Sequence, residues 1–354
     1  MLFCILGTPS AFTAYATLLM RTIASAALGE VHYVPVCTVD EMREAFAKRD
    51  GRPVVFFSDS LDRRIAEILM RADAPTLVFL DDIEDTVGYT MDARDVDVRV
   101  GIQIYSQSAA CLEAFLRSPS LMYVWRPRPN VRLEELVQKI CLSFGLEASA
   151  EVLSRVMTAL VPHDVDPEEE TVERQILRHV PYGRPAHAHA TTFRPDDRAL
   201  IRDALTPYHQ MLAGHPTSFP WPTRLFRDSF RTEVAIEGAV DLTGPARYLF
   251  FGPLLHLPPG RWRATLTIRV VGNWSGNAIM SDIVADNAIQ TTGETNLPLQ
   301  GVFSYSLDFE VTDPRHPVAI RLATKQGAIE GEVELLAARA EPVADDDNSP
   351  DEYH

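Results

Sequence analysis

Leu2-Phe3-Cys4-Ile5-Leu6, then Gly7-Thr8-Pro9-Ser10-Ala11-Phe12-Thr13, then Ala14 to Leu28 form the stretch that decides the fold. A short apolar run stops at a Gly-Thr-Pro turn. A long Ala/Leu/Met-rich segment without Gly or Pro follows. That is the order strand, turn, helix. In a phosphate-binding fold such a turn offers backbone N–H groups and a helix N-terminus to an anion. The rest of the sequence bears on whether this turn still does.

Beyond the first helix, Val31 to Val36 reads as a strand. Val39 to Arg49 reads as a helix, with Asp40 placed to cap or charge its start. Pro53 to Ser58 is a buried strand, and Ser60 or Asp62 opens a helix through Arg71. Pro75 to Leu80 is a further buried strand, ending at Asp81-Asp82, and a helix follows from about Glu84, with a boundary near Asp92. Ala109 to Leu116 and Leu133 to Phe144 read as helices, with Met122 to Trp125 a strand between them. Short, fully apolar strands alternating with helices imply an α/β parallel sheet covered on both faces. Ligands of such sheets bind at the carboxyl ends of the strands. That rule gathers Gly7 to Thr13, Ser58 to Ser60 and Asp81 to Asp85 around one site.

From Ala148 to Ala213 the pattern is helical, with helices expected over Ala150 to Leu160, Glu168 to His179 and Pro195 to Gly214. The last has Asp196 and Asp197 in its first turn and Gly214 just past its end. His215-Pro216-Thr217-Ser218-Phe219-Pro220-Trp221-Pro222 cannot continue a helix. The period then changes to two. Trp262, Ala264, Leu266, Ile268 and Val270 alternate with polar residues, as do Phe303, Tyr305, Leu307, Phe309 and Val311. Val318-Ile320-Leu322 and Val333-Leu335 continue it, so an antiparallel, jelly-roll-like β-sandwich is expected. The expected domains are 1–215 (α/β with a helical C-terminal part), 216–229 (a Pro-rich linker), 230–341 (the sandwich) and 342–354 (an acidic, disordered tail).

The 354 residues carry a net charge of −16. Glu341 to Glu352 holds six acids and no Lys or Arg, and the remainder is acidic too. Such a balance argues against nucleic acid and anionic membrane as partners. Cys4, Cys37, Cys111 and Cys141 stand in apolar surroundings without paired spacing and read as free thiols of a reducing compartment. The first residues lack the basic flank of a signal peptide, and no membrane span is expected. His187-Ala188-His189 has no accompanying ligand at a recognised spacing, and Asp81-Asp82-Glu84-Asp85 reads as helix N-terminal charge, so no metal is expected.

Residues 1–215 resemble the bacterial sulfotransferase family of P-loop-like folds. In that family the first strand leads into a turn of the type Gly-x-Pro-Arg-Ser-Gly-Thr, which holds the 5′-phosphosulfate of 3′-phosphoadenosine 5′-phosphosulfate. Here Gly7, Pro9 and Thr13 match, whereas Ser10, Ala11 and Phe12 replace the basic, hydroxyl and glycine positions. The family's second motif, Leu-Arg-Asp/Asn-Pro-x-Asp-x-x-x-Ser, binds the 3′-phosphate through its Arg and Ser. Its counterpart is Leu80 to Tyr89: Asp85 is kept, Asp81 takes the arginine position, and the serine position falls near Gly88. The resemblance implies Gly7, Thr8, Ser10, Thr13, Asp81 and Asp85 as a degenerate cofactor site. A carboxylate about 4 Å from a phosphate repels it by about 4 kcal/mol at an effective dielectric near 20. Phe12 also crowds a loop whose backbone must approach the ligand.

Phe250-Phe251-Gly252-Pro253, Leu257-Pro258-Pro259-Gly260 and Arg261-Trp262-Arg263 resemble the strand entry of accessory sandwiches, similar to carbohydrate-binding modules, in bacterial surface-polysaccharide proteins. Glycan contact is expected from Trp274, Asn273, Asn277, Arg269 and Asp282, with Gln326 and Tyr248 as further candidates. The expectation is a cytoplasmic, non-catalytic protein of surface-polysaccharide biosynthesis. It uses no cofactor and binds a glycan or a protein of that machinery. The alternative is an active sulfotransferase or other glycan-modifying transferase, using either a rearranged phosphosulfate site charged by Arg21, Arg63 and Arg64 or the Asp81/Asp82 cluster with a metal. A third is a structural assembly factor.

Overall fold

The computed structural model describes residues 1–343 except 49, 117, 119, 216 and 217. It divides into two compact units, Met1–Gly214 and His215–His354. Of the expected acidic tail, all but Pro342 and Val343 lies outside the described residues.

The first unit runs β1 (Leu2–Gly7), α1 (Ala11–Leu28), β2 (His32–Pro35), α2 (Val39–Ala47), β3 (Val54–Ser58), α3 (Arg63–Arg71), β4 (Thr76–Leu80), α4 (Ile83–Arg94), α5 (Val98–Leu112), β5 (Leu121–Trp125), α6 (Leu133–Ser143), α7 (Ala150–Leu160), α8 (Val172–His179) and α9 (Pro195–Leu212). The five strands are parallel in the order β2-β3-β1-β4-β5. β1 is central because its residues are apolar on both faces: Phe3, Cys4, Ile5 and Leu6 are all fully buried. Phe3 and Ile5 face α1, which lies against α6, α7 and α8. On the other face α5 packs against β1 and joins α4 and α9. α1 has the length and composition of a membrane-crossing helix, at 18 residues and a mean hydropathy of 1.3. Its Phe12, Tyr15, Leu19, Met20 and Ile23 are fully buried in the core of this unit.

Local signals resolve or differ from expectation at three places. Thr38, not Asp40, caps α2, in a reciprocal box with Glu41. Asp62 rather than Ser60 caps α3, accepting from the Arg64 N–H at 2.8 Å. The helix expected from Ala109 begins at Val98, and α4 ends where Asp95 turns left-handed at φ 52°.

The second unit runs β6 (Phe219–Pro220), β7 (Arg227–Asp228), β8 (Ala239–Asp241), β9 (Tyr248–Leu255), β10 (Gly260–Val271), β11 (Ala278–Ala285), β12 (Ala288–Asn296), β13 (Gly301–Val311), β14 (Val318–Thr324) and β15 (Glu332–Pro342). One antiparallel sheet is β13-β10-β15-β6, with β8 also on β15; the other is β12-β11-β14-β9-β7. Their inner faces bury Trp262, Leu266 and Ile268 of β10 together with Ile279, Ile283, Ile320 and Leu322, which is the period-two pattern of the sequence. The turn Pro258-Pro259-Gly260 is fixed by Trp262, whose indole N–H donates to the Pro258 carbonyl at 2.9 Å.

The expected linker 216–229 is corrected. Phe219 and Pro220 pair with β15, Arg227 and Asp228 pair with β9, and Phe219, Trp221 and Phe226 are buried. Prolines stop the preceding helix there, but the aromatic residues between them belong to the sandwich core.

Candidate functional site

In the turn after β1, Ser10 and Thr13 bond to each other. Ser10 is the N-cap of α1: its hydroxyl oxygen accepts from the Thr13 N–H at 3.1 Å and its proton goes to Thr13 Oγ1 at 3.1 Å. Thr13 in turn donates to the Phe79 carbonyl at 3.2 Å. Phe12 is fully buried, edge-on to Phe79 at 5.5 Å. Gly7 is required sterically, since a Cβ there would stand 2.5 Å from the Phe79 carbonyl oxygen. Only Thr8, fully buried, holds a hydroxyl in this turn without a hydrogen-bond partner among the described residues. One hydroxyl supplies no positive charge.

The carboxyl end of β4 carries a buried ion-pair network. Register sets it: Leu80 pairs with Trp125, so Asp81 and Arg126 leave adjacent strands side by side. The Arg126 guanidinium donates to Asp81 Oδ2 at 3.2 Å and lies 3.9 Å from Asp85 Oδ2, with both side chains buried. It also donates to the Arg184 carbonyl at 2.8 Å. Burial pushes the Asp81 carboxyl up to about 6, against the opposing pull of Arg126. Asp85 accepts backbone N–H groups from His187 at 2.6 Å and His189 at 3.3 Å. Glu84, also buried, is bound by Arg198 at 2.9 Å and by Arg202.

The serine position of the second motif is occupied by a neighbour. A Cβ on Gly88 would overlap the ring of His189, which is 4% exposed and packs there. Burial, followed by the nearby Arg184 charge, lowers the His189 pKa. Asp81 and Gly88 are thus both closed from within, and the residues present do not fit a 3′-phosphate. Of the arginines that were to restore charge, Arg64 is held by Asp62 at 2.9 Å and Arg63 by Glu67 at 3.2 Å, while Arg21 stacks on the Tyr33 ring at 4.6 Å.

Asp82, Asp85 and His187 bring ligand-type atoms within 4.8 Å of one another. Asp82 caps α4 through the Glu84 and Asp85 N–H groups, and both Asp85 oxygens accept from the 187–189 loop. The two carboxylates therefore already have structural roles. A cavity of about 430 Å³ remains beside the turn. It is lined by Ser10, Thr13, Tyr33, Phe57 and Tyr89, and by Arg94 paired with Asp59 at 3.4 Å.

In the sandwich the expected glycan contacts are not brought together. Asn273 is fully buried: its amide donates to the Leu297 and Pro298 carbonyls at 3.0 and 3.1 Å, and its oxygen accepts from the Asn277 backbone at 2.9 Å and side chain at 2.7 Å. Asn277 also donates to the Glu330 carbonyl at 3.1 Å. These two residues pin loops and have no face for a sugar. Arg269 pairs with Glu334 at 2.8 Å on the outward face of one sheet. Asp282 belongs to the other sheet, buried beneath Tyr248, Thr292 and Arg321, which donate to it at 2.9, 2.8 and 2.9 Å. Trp274 is 67% exposed, and Gln326 is exposed after β14.

Sequence reasoning missed Arg126 and Arg184, and took His189 only as half of a histidine pair, not as the ring that packs over Gly88. The first was within reach, because aligning the ends of β4 and β5 puts Asp81 beside it. The other two arrive on a loop whose path no local pattern dictates.

No protein-family model and no curated protein matches the chain. Solved structures do. The mouse sulfotransferase SULT7A1 complexed with PAP is 9% identical, matching over 56% of this chain and 80% of that one, at a TM-score of 0.38. TmCBM61 in complex with β-1,4-galactotriose is 10% identical over 36% of this chain and 88% of that one, at 0.23. The C-terminal CBM6 of LamC from Zobellia galactanivorans is 12% identical over 35% and 99%, at 0.21. This chain is similar to a sulfotransferase and to carbohydrate-binding modules; the ligands named belong to those proteins.

Proposed function

We propose that this chain is a non-catalytic binding protein of surface-polysaccharide biosynthesis, acting in the cytoplasm. Its α/β unit has lost phosphosulfate binding, and its sandwich recognises a glycan. The observation that carries the first half is the Asp81–Arg126 pair, buried where the related motif places a phosphate-binding arginine. His189 over Gly88 and the Ser10–Thr13 hydrogen bonds support the same reading. A phosphate needs donors and uncompensated positive charge, and here the Ser10 and Thr13 hydroxyls and the Arg126 guanidinium are committed to protein partners. The glycan half is supported by aromatic and planar polar side chains at the surface of the sandwich. Trp274 is exposed, and Tyr248 is partly exposed with the Arg321 guanidinium 4.9 Å from its ring centroid.

A thermal-shift comparison tests it. A ligand at 100 times its Kd stabilises by about 2.7 kcal/mol, enough to move a melting midpoint by a few degrees. The expected result is no shift with millimolar 3′-phosphoadenosine 5′-phosphate and a shift with at least one oligosaccharide. A shift with the nucleotide would overturn the reading in favour of a transferase.

A further inference from the structure

The two edges of the sandwich differ. At one, β12 and β13 close on each other: the Thr291 hydroxyl donates to the Asp308 carbonyl at 2.6 Å, and Leu307 packs over Gly293. At the other, the edge strands β7 and β8 and the segment between them enclose a cavity of about 510 Å³, within the range of small-molecule sites. We propose that this cavity is a binding site for a neutral oligosaccharide. The proposal rests on the reading of the sandwich as a glycan-binding unit and names the place and the class of sugar.

Three observations point there. Phe230 lines the cavity while 73% exposed, so its ring contributes little to the core; the Arg247 guanidinium lies 5.9 Å from its centroid on one side, and the rest of its exposed surface is available to the apolar face of a sugar ring. Asp228, Glu237 and Asp241 bring carboxylates to the same walls. Asp228 Oδ1 accepts from the Phe230 and Arg231 N–H groups at 2.8 and 3.1 Å, and Asp241 Oδ1 accepts from the Thr243 N–H at 2.8 Å. A carboxylate has about four lone-pair sites, so each keeps capacity for sugar hydroxyl donors. Finally, the two guanidiniums are engaged. Arg231 is on Asp228 at 3.4 Å, and Arg247 is on the carbonyls of Asp241, Leu242 and Thr243 at 2.7, 3.2 and 2.8 Å. With the positive charge committed and three acidic residues lining the cavity, phosphate, sulfate and uronate groups are disfavoured. A neutral polyhydroxylated ring meets both the phenyl face and the acceptors.

The experiment is binding of the full chain to an array of neutral, uronic-acid and sulfated oligosaccharides of two to six residues. It is repeated with Phe230→Ala and Glu237→Gln, both at exposed positions, after their melting curves have been matched to the unaltered chain. The expected result is binding to neutral sugars that Phe230→Ala weakens about tenfold and Glu237→Gln weakens to a smaller degree. Binding that survives Phe230→Ala within about twofold, or that is lost with Trp274→Ala instead, overturns this site and leaves the glycan reading standing. Preference for sulfated or uronic-acid sugars overturns the neutral class. Silence across the array overturns the glycan reading and the site with it.

Discussion

The corner at the ends of β1 and β4 and the open edge of the sandwich hold similar side chains in opposite states. At the corner, Ser10, Thr13, Asp81, Asp85 and Glu84 all point at partners from the same unit, and each carboxylate is buried. At the sandwich edge, Asp228, Glu237 and Asp241 line an open cavity beside an exposed phenyl ring. Hydroxyls and carboxylates in a strand-end turn do not mark a site by themselves. What distinguishes the two is burial: the carboxylates of the corner are sealed in with their partners, whereas those of the edge stay accessible to a ligand.

The comparison breaks most readily at Arg126. Arg126→Ala leaves Asp81 buried without its counter-charge. Breaking a buried pair costs about 3–5 kcal/mol, and denaturant unfolding of the first unit should show a loss of that order. A loss below about 1 kcal/mol would mean that the corner is open to water and that its charges are available to a ligand. The pH dependence of stability gives the next effect. The folded state holds the Asp81 proton more tightly than the unfolded chain, about 6 against 3.8. The folded form therefore binds more protons between these values, and stability falls as pH rises through that window before levelling off. The difference is about 2 pKa units, or about 3 kcal/mol. The unaltered chain should lose stability of that order relative to Asp81→Asn between pH 4 and pH 6.5; parallel profiles would contradict the burial. The sandwich supplies the smallest pair of effects. Asn273→Ala should cost about 1–3 kcal/mol, because it leaves buried carbonyl and amide groups unpaired. Trp274→Ala should stay within about 0.5 kcal/mol. Equal effects in thermal unfolding would erase the division between loop pin and exposed ring.

Much of the fold was legible because it rests on patterning. The apolar runs of β1, β3 and β4 have no polar face, so they require cover on both sides, and the alternation from Trp262 to Val270 requires one wet face. The turn at Gly7 was legible as a turn, and the departures from the phosphate-binding pattern at Ser10 and Phe12, and at Asp81 after β4, were legible as departures. What fills the space around them was not. Phe12 fills the core over Phe79, and His189 reaches Gly88 from about a hundred residues away. The segment 216–229 misleads because its prolines have the composition of a linker, whereas the Phe219, Trp221 and Phe226 among them are buried in the sandwich. Asn273 and Asn277 misled because a polar residue beside a tryptophan has the same composition whether it grips a sugar or ties a loop. The cavity around Phe230 had no signal, since it depends on two short edge strands and the segment between them.

The account turns on the claim that the strand-end corner has closed on its own side chains. Calorimetric titration of the unaltered chain with 3′-phosphoadenosine 5′-phosphate tests this most directly, because the nucleotide asks for both phosphate positions at once. The account predicts no saturable heat up to millimolar nucleotide. A saturable isotherm with micromolar affinity, abolished by Asp85→Ala or Ser10→Ala, would contradict it and place a working nucleotide site at Gly7 to Thr13.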